Sequence, residues 1–185
     1  MTLFGDGLEA AVQKAFTRPA PKSAPARMRY LVRQLKGTKQ VAQLLRVSQR
    51  TVERYVKDQI KKPRPDLAAR LEREVNKRWQ PQIRARARQT AATTGGIVID
   101  TRARIGYTAP VGSTDDARVR HLTVALPPQY AARLFDAQQA GAGDQQLQRI
   151  AAEGLKEVYF QDSGRRAGSL EEVRLTDVEH VEFEL

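Results

Sequence analysis

TKQVAQLLRVSQRTVERYVK, residues 38 to 57, carries its apolar residues at the spacing of two short helices joined by a tight turn. The pattern is that of a helix-turn-helix spanning residues 38 to 58. Ala42, Leu45, Val47, Val52 and Tyr55 form its expected inner surface. Gln49, Arg50, Glu53, Arg54 and Lys57 point away from that surface on the second helix. A major groove admits one α-helix, and Ser, Gln and Arg side chains near the start of that helix reach base edges and phosphates. Thr38 is expected to cap the first of these helices and Ser48 the second. Arg46 stands where such turns commonly carry glycine, so it must accept a positive φ at a cost on the order of 1 kcal/mol.

Charge distribution supports a polyanionic partner. The chain has 185 residues and a formal net charge of +11. Residues 1 to 90 hold 22 Lys or Arg against 7 Asp or Glu, and residues 91 to 185 hold 10 against 14. Clustered cations bind nucleic acid by releasing condensed counterions. The loop QIKKPRP that follows the second helix adds Lys61, Lys62 and Arg64 as phosphate contacts. The expected DNA-binding set is Ser48, Gln49, Arg50, Thr51, Arg54, Lys57, Lys61, Lys62 and Arg64. Cysteine is absent and the two histidines, His121 and His180, are far apart in sequence, so no disulfide, thiolate site or metal centre is expected. No apolar run approaches a membrane span and no secretory signal opens the chain, which predicts a cytoplasmic protein with no membrane partner.

Outward from the helix-turn-helix, Leu8 to Phe16 reads as a first helix, and the proline-rich RPAPKSAP as a linker. A second helix begins near Pro25 and ends at Gly37. Another opens at Pro65, ends near Trp79, a core residue by expectation, and continues toward the basic RARAR of residues 84 to 88. The small residues of AATTGG, 91 to 96, read as a domain boundary, giving a basic helical domain over 1–90 and a second domain over 91–185. In that second half, Ile97 to Thr108 and Val119 to Leu126 read as a hairpin with a long tip, residues 109 to 117. Helices follow over Gln129 to Gln139 and Asp144 to Phe160, and VEFEL closes the chain as an edge strand. The fold class is α+β: an N-terminal all-α helix-turn-helix domain, then a small α+β domain of a β-hairpin, two helices and a C-terminal edge strand. Strand, helix, helix is also the order of a ribbon-helix-helix dimer, in which Arg120, His121, Thr123 and Ala125 would face DNA. The acidic balance of this half favours the plain α+β domain.

No nucleophilic cysteine, histidine cluster, P-loop or nucleophile elbow is present, so hydrolase and NTPase chemistry is not expected. Asp115 and Asp116 are too few for a Mg²⁺ site of their own. The stretches KSAPARMRYLVRQLKGTKQVAQLLRVSQRTVERYVKDQIKKPRPDLAARLERE, RWQPQIRARAR, AATTGGIVIDTRAR, RHLTVALPPQYAARLFDAQ and GLKEVYFQD together resemble the telomere terminal proteins of Streptomyces-type linear chromosomes and plasmids. That resemblance covers essentially the whole chain. It implies a protein attached covalently to 5′ DNA ends, which binds telomeric DNA and primes the filling of the terminal gap. It further implies a telomere-associated partner protein, a DNA polymerase that supplies Mg²⁺ and dNTP, no stably bound cofactor, and residence at chromosome or plasmid ends in the nucleoid. The chain would be a primer and nucleotide acceptor, with its partner the enzyme. Homo-oligomerisation is left open.

A priming hydroxyl must enter a polymerase site where a primer end normally lies, which calls for a protruding loop. Residues 109 to 117 meet that description. Within them the resemblance assigns the acceptor to Thr114, in GSTDD, with Ser113 its nearest rival and Thr108 and Thr101 more distant ones. The competing class is a non-covalent helix-turn-helix or ribbon-helix-helix transcription regulator.

Overall fold

The computed structural model describes residues 3–108, 115–163 and 170–185, apart from the side chains of Thr108, Asp115 and Asp116. It is α+β, with helices mostly in the N-terminal half and a three-stranded antiparallel sheet. The elements are α1 (Leu3–Lys14), α2 (Ala24–Leu35), α3 (Thr38–Leu45), α4 (Gln49–Val56), α5 (Pro65–Arg78), α6 (Pro81–Thr90), β1 (Ile97–Thr108), β2 (Asp115–Leu126), α7 (Pro128–Gln139), α8 (Asp144–Leu155) and β3 (Glu172–Glu184). Single π-helical turns prolong α6 over Ala91–Gly95 and α8 over Lys156–Phe160. Among the described residues no helix is long and apolar enough to cross a membrane.

The chain divides into two compact units, and the division falls elsewhere than at residues 90 and 91. One unit is Phe16–Pro81; the other joins Met1–Ala15 to Gln82–Leu185. The helical unit closes over a core of Met28, Leu31, Val41, Leu45, Val52, Tyr55, Leu71 and Val75. Its two ends meet: Thr17 donates its backbone N–H to Gln80 Oε1 at 3.0 Å, and Gln80 Nε2 donates back to Thr17 Oγ1 at 3.2 Å. Trp79 is half-buried on Tyr30, ring centroids 5.0 Å apart, and its indole N–H donates to the Arg18 carbonyl.

In the second unit, sequence periodicity alone misplaces the start of the first helix and the domain boundary. The first helix starts at Leu3 rather than Leu8 because its free amides find a distant acceptor. The Asp144 carboxylate receives the N–H groups of Leu3, Phe4 and Gly5 at 2.6, 3.0 and 3.2 Å, a cap supplied from another helix. AATTGG is not a boundary: Ala91 is buried in this core, and Gly96 turns the chain into β1 at a φ of +69°. A Cβ there would lie 2.3 Å from the Leu126 carbonyl oxygen, so only glycine fits.

The strand order is β2-β1-β3, with Ile99 paired to Val124 on one side and Phe183 on the other. Strand alternation sends Ile97, Ile99, Ala103, Ile105, Leu122, Val124, Val181 and Phe183 into a core shared with α1, α7 and α8. The alternate set is solvated, and it includes the acids of β3. Those acids pair within the unit: Lys14 with Glu182 and Glu184, Arg102 with Glu179 at 2.8 Å, Arg104 with Asp177 at 3.3 Å. Each exposed pair adds little stability. Their charges do mark β3 as an edge that resists further strand pairing.

Candidate nucleic-acid interface

The turn between α3 and α4 has the geometry its sequence demands. Arg46 adopts φ 53° and ψ 50°, and the Val47 N–H returns to the Ala42 carbonyl at 3.0 Å to close the end of α3. Ser48 caps α4, its Oγ accepting from the Thr51 N–H at 3.2 Å and sharing a hydroxyl bond with Thr51 Oγ1 at 2.8 Å. Thr38, in contrast, caps nothing. Gly37 occupies the N-cap of α3 without a side-chain acceptor, and Thr38 is the first helical residue. Its hydroxyl accepts instead from Gln49 Nε2 at 3.1 Å, a contact between α3 and α4.

Val52 and Tyr55 fix α4 to the core, and the opposite side of the helix is open. Ser48, Gln49, Arg50, Arg54 and Lys57 are exposed, Thr51 and Glu53 half-buried. Gln49 Nε2 also donates to Glu53 Oε1 at 2.9 Å. Two residues outside the expected set position this surface. Arg29 on α2 donates to the Val56 carbonyl at 3.2 Å and to Asp58 Oδ2 at 2.6 Å, holding the end of α4. The Tyr55 hydroxyl reaches the Lys62 carbonyl at 3.5 Å, and burial raises its pKa. The loop carrying Lys61, Lys62 and Arg64, all exposed, thus runs on directly from the cationic helix. No local spacing announces these partners; Arg29 and Asp58 are 29 residues apart.

The unit Phe16–Pro81 holds 18 Lys or Arg against 5 Asp or Glu, while the other unit holds 14 against 16. Positive charge is therefore concentrated in the unit that presents α4. Arg50→Ala or Arg54→Ala should weaken binding to a preferred duplex by about 1 to 3 kcal/mol where either arginine touches a base. Lys61→Ala and Lys62→Ala should lower affinity for preferred and random duplexes alike and flatten the salt dependence. Electrophoretic titrations over a range of salt measure both, and equal losses on both duplexes for all four variants would remove base contact from the arginines.

In the second unit the hairpin forms, with β1 ending at Thr108, but β2 starts at Asp115 rather than Val119 because its pairing with β1 continues to Tyr107, so residues 115 to 117 of the expected tip belong to the strand. Thr114 and Ser113 lie outside the described residues, as do the side chains of Thr108, Asp115 and Asp116. Thr101 is fully buried and donates to the His180 carbonyl at 3.0 Å, which withdraws it as an accessible hydroxyl. The set Arg120, His121, Thr123 and Ala125 does not share one face. His121, Thr123 and Ala125 are solvated, whereas Arg120 alternates onto the helix side and lies over the Phe160 ring, 5.7 Å from its centroid. His121 Nε2 and Thr123 Oγ1 both bond the Asp100 carboxylate, at 2.9 and 2.5 Å. The bond from Thr123 and then that from His121 hold Asp100 below the usual carboxylate range. Among the described residues no group of three or more His, Asp or Glu could hold a metal ion. No protein-family model, curated protein or solved structure matches the chain.

Proposed function

We propose that this chain is a telomere terminal protein: a DNA-binding primer for terminal synthesis on linear replicons. The observation that carries the DNA-binding part is α4, capped by Ser48, seated by Val52 and Tyr55, and presenting Arg50, Arg54 and Lys57 to solvent in a strongly basic unit. Support for priming comes from the resemblance of the sequence to such proteins. The paired strands that end at Thr108 and resume at Asp115 are consistent with it, since they leave GST in a hairpin connection.

In the proposed reaction the Thr114 hydroxyl attacks the α-phosphorus of a dNTP held with Mg²⁺ by the partner polymerase. An Oγ–P bond forms, the bond to the β-phosphate oxygen breaks, pyrophosphate leaves, and the hydroxyl proton passes to a base of the polymerase. The metal ions and the general base belong to the polymerase. This chain contributes the acceptor and, through α4, its delivery to a DNA end, where a telomere-associated protein assists.

Mass spectrometry of protein recovered from replicon ends after exhaustive nuclease digestion tests the proposal. The tryptic peptide Ile105–Arg118 should carry one nucleoside monophosphate, localised to Thr114 on fragmentation. Unmodified peptide throughout, from protein co-purifying with DNA, would favour a non-covalent regulator instead.

A further inference from the structure

Gln49, exposed, and Glu53, half-buried, lie at the start and middle of α4, and their hydrogen-bond inventory is asymmetric. A carboxylate offers acceptors only, so the Gln49 atom facing Glu53 Oε1 must be the amide nitrogen. That nitrogen has two hydrogens, and both are engaged: one by Glu53 Oε1 at 2.9 Å, the other by Thr38 Oγ1 at 3.1 Å. What Gln49 turns to solvent is its carbonyl oxygen Oε1. Glu53 likewise keeps Oε2, which takes no part in the bond to Gln49.

We infer that α4 reads exocyclic amino groups in the major groove, cytosine N4 or adenine N6, through Gln49 Oε1 and Glu53 Oε2. The inference rests on the DNA-binding reading above. Guanine and thymine present acceptors O6 and O4 at the corresponding edges, which two more acceptors would repel; cytosine and adenine present donors. The familiar bidentate glutamine contact to adenine needs a free N–H, and here both are used within the protein. A carboxylate on a DNA-facing helix also repels phosphates, so Glu53 suits the groove floor rather than the backbone. Arg50, Arg54 and Lys57 flank it and offset that repulsion. Thr38 acts as a positioning residue, fixing the turn of the Gln49 amide from α3.

The test selects preferred sites for the full-length chain from a randomised duplex library at fixed ionic strength. It then measures binding to the selected duplex with the amino group alone deleted, as 2-pyrimidinone for cytosine or unsubstituted purine for adenine. Deleting the amino group should weaken wild-type binding about tenfold. The same deletion should cost the Glu53→Ala or Gln49→Ala chain, at its own position, no more than about twofold, the expected coupling of a direct contact. Circular dichroism verifies that each variant folds. Thr38→Val should loosen discrimination at the Gln49 position and leave the Glu53 position unchanged. Selection of guanine or thymine at the contacted positions, or equal losses in wild type and variants, would overturn the inference while leaving DNA binding intact. Absence of any duplex binding by the wild-type chain would bring down the DNA-binding reading, and the inference with it.

Discussion

Under the priming proposal, Thr114→Ala should abolish transfer of a labelled nucleotide to the chain in the presence of a partner polymerase, a telomere-associated protein, template and Mg²⁺. Loss of the only nucleophilic oxygen at the acceptor position removes the bond-forming atom, so the expected decrease reaches the detection limit rather than a fractional change. Ser113→Ala should retain the label, because the resemblance assigns the acceptor to Thr114 and not to its neighbour. Thr101→Val should also retain it, since that hydroxyl is buried on the His180 carbonyl and no dNTP could reach it. Thr114→Ser preserves an oxygen and should label, more slowly. Thr114 is outside the set proposed to contact DNA, so duplex binding should be unchanged. Full labelling of the Thr114→Ala chain would move the acceptor to another residue, and label lost equally in Ser113→Ala would assign the effect to loop shape.

A second large effect is expected at Arg84. This arginine is 6% exposed and makes a two-pronged pair with Glu9, Nη1 to Oε1 at 2.8 Å and Nη2 to Oε2 at 2.6 Å. Arg84→Ala leaves a half-buried carboxylate with weaker company, Gln13 at 3.1 Å and Arg88 at 3.9 Å. Removing one member of a buried pair costs several kcal/mol, and partial exposure of Glu9 reduces this to about 2 to 3 kcal/mol. The loss should be confined to the unit that joins α1 to α6 and the sheet. Trp79, the only tryptophan, lies in the other unit. Urea unfolding followed by its fluorescence should therefore keep its midpoint, while the far-ultraviolet circular dichroism transition moves to lower urea. A shift of both transitions together would show that the units unfold as one. Arg84→Met combined with Glu9→Leu should recover most of the loss.

The same pair makes a pH prediction. Burial raises the pKa of Glu9, but hydrogen bonds from Arg84 and Gln13 and the charges of Arg84 and Arg88 outweigh it, and the net shift is downward. A carboxyl whose folded pKa lies below its unfolded value stabilises the fold above the unfolded value, here 4.5, and the gain fades as pH falls through the folded pKa. Arg84→Ala should accordingly flatten the acid limb of the stability profile of this unit.

Much of this architecture was legible in the residues, and the failures share one cause. Spacing of Val41, Leu45, Val52 and Tyr55, together with Ser48, is local information, and the helix-turn-helix forms as those residues indicate. The hairpin and edge strand are legible from alternation, but β2 starts at Asp115 rather than Val119 and β3 at Glu172 rather than within VEFEL, since pairing with β1 extends both. By contrast, α1 could not be assigned to its unit, because its cap Asp144 and its ion-pair partner Arg84 lie 141 and 75 residues away. RARAR reads as one more basic stretch, yet Arg84 is buried and Arg88 stacks over Phe135 at 5.7 Å. Charge counting by sequence halves credited those cations to the DNA-binding half, whereas the packing spends them inside the other unit. At the interface itself, the arginines of α4 were evident from periodicity. The link from Thr38 through Gln49 to Glu53 required coordinates, since it joins two helices across the turn.

Because the helical unit is spliced into the other one between Ala15 and Gln82, truncation experiments on this protein will report the opposite of what their order along the chain suggests. Trimming the first fifteen residues deletes α1 and damages the unit that bears the hairpin, leaving the basic unit whole. A fragment stopped near residue 90 keeps the basic unit but strands α1 and α6 without their sheet. Residues 16 to 81, clasped at their ends by Thr17 and Gln80, are the cassette to excise when the proposed DNA binding is to be tested alone.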